Sequence, residues 1–203
     1  TKDNSRSHIF SNTLIDFNTF NLNESSLELN IERVSNDTYL DLFTIKSPLI
    51  KSTSTFNSYL QYKGLIDDVN FDVAFQAYET ADVINSDRYE YVYPNFNLSK
   101  DLDFLGSIFD STTINTYGHQ KKYQTNIYEG MLINDLTFNN NHFFKKGFDN
   151  NTKVILKNVN SKGSNSSKYK DEQQSELLSM MSYNITYPLQ KLSENMHFLT
   201  PKM

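Results

Sequence analysis

The 203-residue chain has no cysteine and no tryptophan, only six glycines and four prolines, and alanine only at Ala74, Ala77 and Ala81. Without cysteine, this stretch has no disulfide framework, no thiolate metal site and no thiol nucleophile. Scarce alanine disfavours long helices, and scarce glycine disfavours a Gly-rich phosphate cradle. No segment reaches the roughly 18 to 20 consecutive apolar residues that a membrane-crossing helix needs. Barrel strands are not excluded, because they alternate apolar with polar residues and leave the mean hydropathy low, as it is here at −0.58. Positive charge is also in deficit. Lys and Arg number 19 against 24 Asp and Glu, a net charge of −5, so a phosphate backbone meets net repulsion and no nucleic-acid partner is expected. The opening Thr1-Lys2-Asp3-Asn4-Ser5-Arg6-Ser7 has no apolar core of a signal peptide. Residues 1–203 are read as an internal fragment with no complete domain boundary inside.

The dominant pattern is a hydrophobic period of two. In Leu27-Glu28-Leu29-Asn30-Ile31-Glu32 one face is aliphatic and the other polar. From Val69 to Tyr78, Val69, Phe71, Val73, Phe75 and Ala77 alternate with Asn70, Asp72 and Gln76. A pleated strand gathers such residues on one side, whereas a helix scatters them. Further strands are expected at Thr13–Leu22, Thr38–Lys46, Thr55–Lys63, Arg88–Leu98, Asp103–Tyr117, Tyr123–Phe138, Thr152–Val159 and Ser175–Tyr187, with a last one near Asn195. Over Asp171–Tyr183 a helix competes with the strand, and Pro188 is expected to end that element. Turns are expected at Asn23-Glu24-Ser25, Ser35-Asn36-Asp37, Lys63-Gly64, Tyr117-Gly118-His119 and Lys146-Gly147, and long polar loops at Asn139–Asn151 and Ser161–Asp171. The expected fold is all-β: an antiparallel up-and-down meander of about 10–11 strands.

Catalytic and metal motifs are lacking. His8, His119, His142 and His197 lie far apart, without carboxylates at ligand spacing. Asp67-Asp68 and the Asp101/Asp103 pair sit in no Asp-x-Asp-x-Asp-Gly loop and are read as solvated turn residues. No nucleophile elbow is found. The expectation is a non-enzyme with no cofactor. Strands of near-spanning length, polar faces rich in Asn, Gln, Asp and Glu, and tyrosines at strand ends (Tyr89, Tyr91, Tyr93, Tyr123, Tyr128) fit a membrane barrel. The missing tryptophan weighs against it. A soluble β-sandwich or surface binding module, or another outer-membrane channel, stays open as the alternative.

Several segments resemble the lipopolysaccharide-assembly outer-membrane family LptD, also called OstA or organic solvent tolerance protein, and its alphaproteobacterial members most. They are Ser86-Asp87-Arg88-Tyr89-Glu90-Tyr91-Val92-Tyr93-Pro94-Asn95-Phe96, Thr125-Asn126-Ile127-Tyr128 with Ile133-Asn134-Asp135-Leu136, and Leu156-Lys157-Asn158-Val159-Asn160-Ser161 with Asn165-Ser166 and Tyr169-Lys170. The ending Phe198-Leu199-Thr200-Pro201-Lys202 is similar as well. The resemblance runs from about Ser86 onward and is weaker before it. It implies a segment of the family's C-terminal β-barrel domain in the bacterial outer membrane. Such a barrel receives lipopolysaccharide from a periplasmic bridge protein similar to LptA and delivers it to the outer leaflet. A plug lipoprotein similar to LptE sits in the lumen, and outer-membrane lipid surrounds the barrel. The family's periplasmic jelly-roll, closing strands and inter-domain cysteines are not in this stretch. In a barrel the polar residues Glu28, Asn30, Glu32, Asn70, Asp72 and Gln76 are expected to face the lumen. Pro94, which offers no ladder donor, is expected to mark an edge, a bulge or a break in pairing.

Overall fold

A computed structural model describes residues 6–19, 22–81, 83, 88–102, 109–143, 148–187, 189–191 and 197–199. Nine strands follow one another: β1 (His8–Thr19), β2 (Leu22–Val34), β3 (Thr55–Ile66), β4 (Val69–Thr80), β5 (Tyr89–Asp101), β6 (Ser111–Tyr123), β7 (Tyr128–Phe143), β8 (Asp149–Ser164) and β9 (Gln174–Thr186). They form one antiparallel sheet in the order β1-β2-β3-β4-β5-β6-β7-β8-β9. A two-stranded hairpin, β10 (Leu189–Lys191) with β11 (His197–Leu199), is separate from it. The antiparallel up-and-down meander is the expected fold, and among the described residues it holds nine strands where about 10–11 were expected. The sheet is not closed: β1 and β9 are its edges. No second layer packs on it among the described residues, so few side chains are buried.

Several local expectations are corrected. Thr38–Lys46 is not a strand but carries a short helix, α1 (Tyr39–Phe43). Alternation there would put Leu40 and Leu42 on one side, yet Leu40 is buried and Leu42 is 71% exposed. Asn36 starts the turn by accepting hydrogen bonds at Oδ1 from the Thr38 N–H and hydroxyl. The turns expected at Lys63-Gly64 and Tyr117-Gly118-His119 are strand interior instead. β3 reverses at Asp67-Asp68, both with positive φ (43° and 67°), as a two-residue hairpin of primed type requires. β6 reverses at residues 124–127. The Asn23-Glu24-Ser25 turn is a bulge inside β2, with Glu24 at φ 55°. The loop expected at Asn139–Asn151 is mostly paired strand, because Asn139, Asn140 and Asn141 stand opposite Lys153, Thr152 and Asn151. The loop expected from Ser161 starts only at 165, since β8 runs on to Ser164. Residues 171–183 are strand from Gln174 onward, not helix. Thr13–Leu22 divides between β1 and β2. Residues 103–108, Lys146-Gly147, Pro188 and Asn195 lie outside the described residues.

Two glycines sit where β strands approach closely. At Gly64 an added Cβ would meet the ring of its cross-strand partner Phe71 at 2.7 Å. At Gly118 it would run into the Met131 carbonyl oxygen, and meet the ring of its cross-strand partner Phe96 at 3.3 Å. An aromatic laid over a glycine on the neighbouring strand restores the contact surface the glycine lacks.

A compact apolar cluster lies at an end of the sheet, where Val34, Leu40, Phe56 and Ala81 are buried with Phe10, Tyr39, Ile45 and Ile50 packed against them. The β2–β3 ladder stops at Asn30–Tyr59, short of this cluster. Side chains stitch the gap: the Glu32 N–H donates to Ser58 Oγ (3.0 Å), and the Asn57 N–H donates to Glu32 Oε2 (2.8 Å). Arg88 locks the connection 35–54 onto this end. Its guanidinium donates to both Asp37 oxygens (2.5 and 2.9 Å) and twice to Glu79 Oε1 (2.6 and 2.9 Å). Asp37 first, then Glu79 and Tyr89, hold the Arg88 pKa even above its usual high value, so the cation is permanent. Arg88→Ala leaves two carboxylates without their shared cation. We expect a loss of about 2–3 kcal/mol in reversible unfolding, with faster tryptic cleavage at exposed Lys46 and Lys51. Unchanged cleavage would show that the clamp does not hold the loop.

Candidate functional site: the two faces of the sheet

The pleat and the register divide the side chains into two sets. One face carries Ile9, Ile15, Leu27, Leu29 and Ile31 on β1 and β2, and Leu60, Tyr62, Val73 and Phe75 on β3 and β4. It continues through Phe96, Leu98, Ile114, Leu132, Leu136 and Phe138 to Val154, Leu156, Leu177 and Met181 on β8 and β9. Among the described side chains its charged residues are Arg33, Glu79, Lys100, Lys122 and Lys162, each within the last three residues of its strand. The other face carries charge in mid-strand at Glu28, Lys63, Asp72, Asp135 and Lys157, and near strand ends at Glu90, Lys121 and Glu129.

The apolar belt is diagonal. On β1 it covers Ile9–Ile15, and on β9 it covers Leu177–Ile185, and these stretches differ by several register rows. The centre of the belt moves by roughly one residue per strand. With a rise of about 3.3 Å and a strand spacing of about 4.8 Å, a level belt then requires strands tilted by about 35°.

All six residues expected to face a lumen lie on the charged face. Glu28 Oε1 accepts from the Tyr59 hydroxyl (2.6 Å) and from Asn12 Nδ2 (2.8 Å). Asn30 is buried and donates to the Asn57 carbonyl (2.7 Å) and to Glu32 Oε1 (3.1 Å). Glu32 is spent on the β2–β3 stitch. These three therefore act as one knit network. Asp72 accepts from Gln61 Nε2 (2.7 and 3.0 Å), and Asn70 is exposed. Gln76 lines a hollow with Tyr78, Glu90, Asn95, His119 and Lys121.

Sequence reading missed the cross-strand partners on this face, since they depend on register. Lys121 Nζ donates to Glu90 Oε1 (2.7 Å). Lys157 Nζ reaches Asp135 Oδ2 and the Tyr117 hydroxyl (both 3.2 Å), and that hydroxyl donates to the same Asp135 oxygen (3.3 Å). Pro94 sits in a bulge, for both ladders of β5 skip here: β4–β5 between Ala74 and Gln76, and β5–β6 between Val92 and Asn95. The loop 165–173 folds back onto the charged face. Ser166 Oγ donates to Glu129 Oε1 (2.7 Å), and Gly163, whose missing side chain leaves room for Tyr169, donates its N–H to the Lys170 carbonyl (2.7 Å).

Among the described residues no three His, Asp or Glu side chains gather as a metal site, and no helix is long and apolar enough to cross a membrane. The arrangement is a wide surface, with charged side chains running along one face and, among the described residues, charge only near strand ends on the other. Comparison with family models and with the curated proteins returns no match.

Proposed function

We propose that this chain is part of an outer-membrane β-barrel, with the apolar face toward lipid and the charged face lining the lumen. The observation that carries the reading is the diagonal, charge-free belt on a single-layered sheet. A water-soluble sheet of this size buries one face against a second layer, and none covers this one among the described residues. Strands of 12–16 residues exceed the roughly 9–11 needed to cross a bilayer at the usual tilt. Within that reading, the resemblance to the LptD family supports a more specific role: non-enzymatic passage of lipopolysaccharide from the periplasm to the outer leaflet, in concert with a bridge protein and a lumenal lipoprotein. The charged face suits the sugar part of such a cargo, because paired carboxylates and amides solvate hydroxyls without binding them tightly.

The test is single-cysteine accessibility from Val69 to Tyr78 in the membrane-inserted protein, made possible by the absence of native cysteine from this stretch. A membrane-impermeant, water-soluble thiol reagent should modify positions 70, 72 and 76 through the lumen and spare 71, 73 and 75. Uniform labelling, or a protein that never enters the membrane fraction, would favour the soluble binding module. Newly made lipopolysaccharide should accumulate in the periplasm on depletion, whereas a general channel would leave its export intact.

A further inference from the structure

The apolar face has a hollow of about 340 Å³, at the end of the sheet where β6 carries Lys122 and β8 carries Lys162. Its floor is open because Gly130 has no side chain. An added Cβ there would meet only ordinary contacts, Tyr128 at 3.5 Å and the Lys162 carbonyl at 3.8 Å. Pro94, Phe96, Tyr128 and Leu132 wall it, and Gln120, Asn160 and Lys162 stand at its mouth. Lys122 lies opposite Tyr128 in register and so flanks the same mouth. Both lysines are exposed, and neither has an acidic partner among the described residues. The acids nearest in sequence and register are committed elsewhere: Glu90 to Lys121 and Glu129 to Ser166, both on the opposite face, and Glu79 to Arg88. Asp171 and Glu172 lie in the loop beyond the strand ends.

We propose that this hollow seats one lipid, its acyl chain against Phe96, Leu132 and Tyr128 and its phosphate held between Lys122 and Lys162. The inference rests on the reading of this face as lipid-facing. Two observations choose the occupant. The unpaired cations at the rim of a face that carries no charge in mid-strand call for an anion, and the apolar walls below them call for a chain attached to it. The hollow also sits where the diagonal belt gives way to polar residues on β8, at Asn158 and Asn160. That is the depth at which headgroups lie and where lysine and tyrosine are favoured.

The test uses the full-length protein in nanodiscs of phosphatidylcholine containing a minority of phosphatidylglycerol, with retained lipid counted by native mass spectrometry. Wild type should keep phosphatidylglycerol selectively. Lys122→Gln/Lys162→Gln should lose that selectivity by about tenfold, on the scale of roughly one headgroup charge contact per lysine. Gly130→Leu, which fills the floor, should lose bound lipid of both kinds. Lys100→Gln, on the same face but at the far rim, should change neither. Equal retention in wild type and the double variant would overturn the proposal, and so would full displacement of the lipid by millimolar inorganic phosphate, which would mark a free-anion site. Failure of the protein to insert at all would instead overturn the barrel reading, and heat-modifiable migration of each variant separates that outcome from loss of the lipid site.

Discussion

Val73→Arg is expected to destabilise the membrane-inserted protein by about 2–4 kcal/mol, the cost of a cation near the bilayer midplane on a lipid-facing strand. Gln76→Arg, only three residues away, should change stability by less than about 0.5 kcal/mol. Val73 lies between Tyr62 and Phe96 in register, at the centre of the belt on β4. On the proposed barrel reading, the guanidinium there has neither a carboxylate nor the lumen within reach, and it must drag water into lipid or leave its rung. Gln76 lies on the charged face beside Glu90, where a second cation gains a partner. Urea-dependent refolding into lipid vesicles measures both. A soluble sheet with water on each side would treat the two substitutions alike, so near-equal costs would count directly against the lipid-facing assignment.

Gly118→Ala should cost at least about 3 kcal/mol or abolish folding, and Phe96→Ala should not rescue it. The nearest obstacle to the new methyl is the Met131 carbonyl, part of the β7 backbone, and moving it breaks rungs of the ladder that binds β6 to β7. Gly64→Ala provides the contrast. Its new methyl meets the far end of the Phe71 ring at 2.7 and 2.9 Å, so Phe71→Ala should recover most of the loss. A double-mutant cycle at each site reads the difference as a coupling energy, large for Gly64 with Phe71 and near zero for Gly118 with Phe96. Similar coupling at both sites would show that ring packing, rather than backbone approach, accounts for the two glycines.

Gly118 also shows why parts of the fold were illegible in the sequence. Tyr117-Gly118-His119 has turn chemistry, and nothing local says that a neighbouring strand needs that position empty. The asparagines 139–141 read as a loop for the same reason: locally, Asn favours turns. In the sheet they have rungs, and Asn139 Nδ2 donates to Ser111 Oγ (3.1 Å) across to β6. The strand composition of Thr38–Lys46 was overruled because the end of the sheet needed a cover. Leu40 fills it, and Asp37 meets Arg88 some fifty residues on. Asp67-Asp68 was legible as a pair of solvated turn residues between alternating runs, although the reversal itself was expected at Lys63-Gly64.

The alternation of apolar with polar residues was determined by the sequence alone. Period two places Val69, Phe71, Val73 and Phe75 on one side whatever the strands beside them do, so the polar set Glu28, Asn30, Glu32, Asn70, Asp72 and Gln76 could be named in advance. Only the tertiary structure decided that these two short patterns share one face across β2 and β4, that lysines 121 and 157 find carboxylates there, and that the apolar belt runs diagonally over nine strands. The physical reason is that side-chain direction is a property of one strand, whereas register is set by turns, bulges and contacts between strands. A slip of one residue would have turned any strand's apolar side chains to the wet face.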